Sequence, residues 1–188
     1  MNDVKNVSAA KPKIGGAIFS APLGTTLPED AKSELDPKFK SMGYISEDGL
    51  VNENSPETEV IKAWGGDSVL VVQTSKEDTF TYTFIESTNL DVLKEVYGQE
   101  NVTGSLETGI TIKANSNPLE EHSIVIDMVL KGGILRRIVI PNANVAEIGE
   151  IEYKDDSAIG YETTMKCAPD PEGNTHYDYI VKPSSDVE

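Results

Sequence analysis

Between Asp78 and Glu86 the chain alternates without interruption, with Phe80, Tyr82 and Phe84 on one side and Thr79, Thr81 and Thr83 on the other. A period of two residues is that of an extended strand, and aromatic and β-branched side chains suit its pleated surface. The chain is therefore committed to a sheet with one apolar face. Shorter runs at Val69 to Gln73, Ser123 to Lys131, Ile134 to Ile140, Val145 to Tyr153, Ile159 to Cys167 and Tyr177 to Lys182 extend the pattern. Turn residues such as Asp155-Asp156-Ser157 and those from Pro169 to Asn174 separate them. Strands punctuated about every ten residues favour a β-sandwich or half-barrel over a parallel α/β sheet. The expectation is a mainly β (α+β) fold.

Gly132-Gly133 lies between two apolar runs and reads as a two-residue hairpin turn, since glycine supplies the positive φ that tight hairpins need. That register sets Lys131 against Ile134 and Asp127 against Ile138. Asp127 and Arg136 then lie diagonally on one face with Val125, Val129, Ile138 and Ile140, and Ile124, Ile126, Met128, Leu130, Leu135 and Val139 on the other. Both faces are apolar, so this hairpin is expected at the centre of the fold, covered on each side. Further upstream, Gly43 to Leu50 and Glu57 to Trp64 read as two extended segments around a polar turn through Asn52 to Pro56, closing at Gly65-Gly66-Asp67. A single short helix is predicted over Asn89 to Tyr97, starting at Thr88 and stopping at Gly98.

Residues 1–40 form an N-terminal arm or long loop, broken by Pro12, Pro22, Pro28 and Pro37 and by Gly15, Gly16 and Gly24. Ile14, Ile18, Phe19, Leu23, Leu27 and Phe39 are spaced through it and need a surface, either their own core or a neighbouring subunit. Residues 41–188 form the β domain. The first sixteen residues hold no apolar stretch of signal-peptide length, and no later stretch approaches ~18 apolar residues, so synthesis in a reducing cytoplasm is expected.

Thirty-two acidic against sixteen basic residues give a net charge of −16. Phosphate binding requires clustered Lys and Arg that displace counterions, so the charge balance argues against a nucleic-acid-reading function. No constellation for catalysis stands out. His122 and His176 are the only histidines, neither sits in a nucleophile elbow, and surface or edge positions account for both. Cys167 is the only cysteine, has no basic neighbour in sequence and reads as a buried structural thiol. One Cys and two distant His make no zinc spacing. Acidic pairs such as Glu120-Glu121 follow from composition, and Asp170 to Asn174 lacks the alternating ligands of a calcium loop. No catalytic, metal or cofactor-binding residue is assigned, and no cofactor is expected.

Several phrases in order carry a resemblance. They are Gly15-Gly16-Ala17-Ile18, the stretch Ala21 to Pro28, Leu35 and Phe39, Gly43 to Leu50, Glu59 to Asp67, and Asp91-Val92-Leu93 with Val96-Tyr97-Gly98. Together they resemble the major tail proteins, the tail-tube subunits, of bacteriophages with long non-contractile tails. The resemblance implies a β-sandwich or half-barrel flanked by one helix, assembled into hexameric rings whose inner strands close into a tube for DNA. It also implies a place in the virion tail, self-association through arms and long loops, and contact with tape-measure, terminator and baseplate proteins. DNA would pass without specific binding, and no membrane is involved. On this reading Ile18, Phe19, Leu23, Leu27, Tyr44, Ile45, Leu50 and Trp64 are subunit-contact candidates. Glu150 and Glu152, sharing a face of the predicted strand Val145 to Tyr153, or else Thr79, Thr81 and Thr83, are lumen candidates. A tail terminator or connector, and a non-viral β-sandwich binding module, stay open as alternatives.

Overall fold

The computed structural model describes residues 2–183. The order is β1 (Ala10–Pro12), β2 (Ile18–Pro22), β3 (Lys40–Ser41), β4 (Ile45–Lys62), β5 (Ser68–Phe84), α1 (Leu90–Tyr97), β6 (Val102–Ser105), β7 (Gly109–Ile112), β8 (His122–Leu130), β9 (Ile134–Ile148), β10 (Tyr161–Ala168) and β11 (Tyr177–Val181). All strand pairs are antiparallel. Nine strands make one large sheet in the order β3-β2-β8-β9-β10-β5-β4, with β1 also on β8 and β11 also on β9. β6 and β7 form a separate two-stranded sheet. The architecture is mainly β and sandwich-like, with one short helix, as the alternation predicts.

The β8–β9 hairpin is central and covered on both sides. On one face Ile124, Ile126, Ile138 and Ile140 join Phe80, Tyr82, Phe84 and Met165 in the main core, which α1 closes with Val92, Leu93 and Val96. On the other face Val125 and Val139 pack with Ala21 and Phe39, flanked by Leu27, Leu35, Tyr177 and Tyr179. The helix starts one residue later than predicted, because the Asn89 side chain and not Thr88 accepts the Asp91 N–H (3.0 Å), and it stops at Gly98.

The hairpin turn differs from the two-residue expectation. Gly133 N–H bonds Leu130 O, so the loop holds three residues and Leu130 opposes Ile134. The register shifts by one, and Asp127 meets Arg137 in place of Ile138. The physical gain is large, because Asp127 lies on a buried face where an unpaired carboxylate is costly. Arg137 Nε and Nη2 donate to its two oxygens at 2.6 and 2.8 Å, and Nη1 donates to the carbonyls of Asp30 (3.0 Å) and Ser33 (2.9 Å). A single buried guanidinium thus pairs the hairpin and ties down the loop that covers it.

Two predicted strand breaks are absent. β9 runs straight through Pro141, where its partner changes from β11 (Val139 opposite Tyr177) to β10 (Asn142 opposite Ala168) and its register on β8 slips. The missing proline N–H therefore falls where the ladder is already interrupted. Likewise, Asn52 to Pro56 is no turn but the middle of β4, an edge strand, where proline is tolerated because one side of the backbone has no partner strand. Conversely, β9 ends at Ile148, so Glu150 and Glu152 stand on the connection that follows and not on a strand.

Within residues 1–40 the packing changes near residue 17. Most of residues 2–15 are exposed, whereas Ile18, Ala21, Ala31 and Phe39 are buried on the chain's own sheet.

Candidate assembly surface

β4 and β5 pair from Ile45 opposite Phe84 at the root to Lys62 opposite Ser68 near the tip. Buried alternation on β5 stops at Asp78. Beyond that point both strands run on exposed, and at about 3.3 Å per residue they reach roughly 30 Å past the body of the sheet. The tip is closed by Ala63 N–H to Asp67 O (2.8 Å) and Gly66 N–H to Ala63 O (3.0 Å). Gly65 and Gly66 take φ of +117° and +99°, which side chains avoid. Trp64, at the apex, is fully exposed.

Val60 faces Val71 across the ribbon, and the next pair, Ile61 and Leu70, faces the other way. Val69 and Val72 add to both sides, and all six side chains are exposed. A run such as Val69-Leu70-Val71-Val72, apolar at every position, belongs to a strand covered on both faces. Here nothing among the described residues covers either face. A two-stranded ribbon is marginal in water, and an exposed apolar patch marks an interaction surface. The run was visible in sequence, but its lack of an internal cover depends on where the hairpin leaves the body.

Among the sequence-predicted contact residues, Trp64, Tyr44 and Leu23 are exposed. Tyr44 lies at the hairpin root and Trp64 at its tip, so they occupy opposite ends of one element. Ile45 and Leu50 are half-buried against the main core, and Phe19 and Leu27 against the second cluster. Ile18 is 1% exposed inside the main core, which removes it from the contact surface.

Thr79, Thr81 and Thr83 lie on the sheet face opposite the aromatic row and are half-buried. They belong to rows that cross four strands: Glu53, Thr79, Lys166 and Asn144, then Val51, Thr81, Thr164 and Glu147, with Glu162 beside Thr83. Thr81 and Thr164 share a hydroxyl hydrogen bond of 3.0 Å. Glu150 and Glu152 are exposed elsewhere, and Glu152 pairs with Lys154. The structure therefore does not bring the two lumen candidates onto one strand.

His122 is buried, not superficial: its Nε2 lies 2.6 Å from Glu95 Oε1 on α1, and Ser20 donates to the other oxygen of Glu95. His176 is half-buried with Nδ1 2.6 Å from Asp78. Sequence reading missed both partnerships because the partners are 27 and 98 residues away and carry no local pattern. Cys167 is buried, and that burial, aided by the Asp78 charge, pushes its thiol up to about 12. It stays protonated at neutral pH. Among the described residues no cluster of three His, Cys, Asp or Glu side chains is placed to hold a metal, and no helix is long and apolar enough to cross a membrane.

No curated protein matches the chain. A family model described as "Phage tail tube protein" matches residues 1–186. With that match spanning nearly the whole chain, and with a sandwich-like β fold bearing an uncovered apolar ribbon, the chain belongs to the phage tail tube protein family and is a structural component of the virion tail.

Proposed function

We propose that this chain is the repeating wall subunit of the tube, forming hexameric rings that stack into a conduit for DNA delivery, with no catalytic step of its own. The observation that carries the reading is the β4–β5 hairpin, apolar on both faces and, among the described residues, covered on neither. Burying it against neighbouring copies removes from water the surface that makes the isolated ribbon marginal. The contact set is Trp64 with Val60, Ile61, Leu70 and Val71, joined by the exposed Tyr44 and Leu23. Rings end on other tail proteins, the tape-measure, terminator and baseplate proteins.

The lumen falls to the four-strand face that carries Thr79, Thr81 and Thr83. It is regular and polar, and of its charged groups Glu53, Glu147 and Glu162 outnumber Lys166. A net acidic wall repels phosphates and lets the genome slide. Glu150 and Glu152 add negative charge beyond the end of β9. Charge reversal at Glu147 and Glu162 is expected to slow DNA ejection.

Negative-stain electron microscopy over a concentration series, with light scattering for mass, tests the assignment. Wild-type protein is expected to form rings or hollow tubes. The double variant Leu70→Glu/Val71→Glu charges both faces of the ribbon and is expected to keep a native circular dichroism spectrum while remaining monomeric. Wild-type protein that stays monomeric throughout the series, even when seeded with fragments of assembled tails, would overturn the reading.

A further inference from the structure

The hairpin leaves the sheet where one buried carboxylate collects three donors. Asp78 is 2% exposed, yet no Lys or Arg bonds it. Instead Asn52 Nδ2 on β4 donates to Oδ1 at 2.9 Å, while Thr175 Oγ1 and His176 Nδ1 lie 2.5 and 2.6 Å from Oδ2. Asn52 is part of the hairpin, whereas Thr175 and His176 belong to the loop entering β11. The His176 ring also stands edge-on to Phe80 at 5.4 Å, the first aromatic of the buried row. On the opposite face Lys166 pairs with Glu77, but both are half in water or more, and such a pair holds little.

We propose that Asp78 is the positioning residue of the assembly hairpin, a clamp that binds its root to the loop before β11 and sets the direction in which it projects. This rests on the reading of the hairpin as the assembly element. Three features support it. The buried pattern of β5 ends at Asp78, so this residue marks the boundary between body and ribbon. Past it, the β4–β5 register slips between Glu57 and Thr58, so the ribbon cannot inherit its course from a regular ladder. Finally, a carboxylate this buried is retained only with full hydrogen bonding. Burial acts to raise its pKa, but bonds from Thr175, Asn52 and His176 outweigh this and hold it below the usual Asp value, so the clamp is ionised at neutral pH. A two-stranded ribbon zips outward from its fixed end, and loosening that end frays the rest.

Hydrogen exchange on the monomer, read by mass spectrometry, tests the clamp. Asp78→Asn turns one of the two acceptor oxygens into an NH2 that faces either Asn52 or the Thr175–His176 pair, setting donor against donor at a buried site. Amide protection over residues 55–62 and 68–76 is expected to fall about tenfold, while residues 80–84 and 124–126 exchange as in wild type. Tube yield is expected to drop with it. His176→Ala removes one donor from a half-buried ring, keeps the other two, and is expected to show the same selective loss to a smaller degree, which covers the case in which Asp78→Asn does not fold. Unchanged hairpin exchange in both variants, or exchange rising equally across the core, would sink the clamp. The hairpin's role in assembly is judged apart, by Leu70→Glu/Val71→Glu: tubes from that variant would remove the reading on which the clamp rests without touching the exchange result.

Discussion

Trp64 separates the stability of the subunit from the stability of the tube. It is the only tryptophan, and at the hairpin tip it is fully exposed. Trp64→Ala should therefore change unfolding of the monomer by no more than about 0.5 kcal/mol, the usual range for a surface substitution. Assembly is another matter. A Trp side chain that becomes covered takes about 150–250 Å² out of water, and at about 25 cal/mol per Å² this is roughly 4–6 kcal/mol. The retained Cβ, imperfect cover and lost rotamer freedom reduce the net, and aromatic anchors at interfaces typically cost about 2–4 kcal/mol when truncated. Even the lower figure raises an apparent dissociation constant about thirtyfold. Sedimentation across a dilution series reads this as the concentration below which tubes disappear. The wild-type indole offers a second readout, since its fluorescence should shift to the blue as tubes form and the ring leaves water. A dissolution point altered less than about twofold, or an emission maximum that is the same in monomer and tube, would refute the anchor.

The remaining predictions concern the subunit itself. Arg137→Met leaves the buried Asp127 with only the part-exposed Lys13 Nζ at 3.4 Å and frees the carbonyls of Asp30 and Ser33, and is expected to cost about 3–5 kcal/mol in denaturant unfolding. Adding Asp127→Leu should recover much of that, and a double variant as unstable as the single would show that the pair is not the source. For His122, burial pulls the pKa down but the adjacent Glu95 carboxylate outweighs it, so the ring titrates above its ordinary 6.5. A pKa raised in the folded state stabilises fully below the unfolded value and loses that contribution as pH rises through the folded one. Unfolding free energy should thus decline as pH rises from about 6.5, and the decline should vanish in His122→Gln; a flat wild-type profile would contradict it. Gly104 holds φ +94°, and a Cβ there would sit 1.9 Å from Gly109 O. Gly104→Ala should cost about 1–3 kcal/mol, with exchange rising in β6 and β7 first.

The β class, the single helix and the two-sided cover of β8 and β9 were legible because each is a matter of period: two residues for the strands, about 3.6 for the helix. The failures cluster where period is silent. Nothing in Lys131-Gly132-Gly133 says whether the loop holds two residues or three, since glycine tolerates positive φ in both. The choice was made by Asp127, which must meet Arg137 and not Ile138 once both faces are buried. The sequence pattern ended one strand at Ile140 and placed a turn through Asn52 to Pro56, and only the exchange of partners along β9 and the edge position of β4 let both strands run on through Pro141 and Pro56.

What the amino-acid order determined by itself was which residues must leave water and with what repeat, and hence a sheet with an aromatic row, a helix to close it and an apolar run at Val69 to Val72 in need of cover. Tertiary structure alone decided what does the covering. Ile18 and Phe39, candidates for a neighbour's surface, are used at home, whereas Val60, Ile61 and Leu70 are carried out past Asp78 to where no described residue packs on them. Burial depends on distance in space, which sequence spacing does not encode. Here, among the described residues, the unmet demand for burial falls on an element that projects, and under the proposed function another copy of the chain meets it.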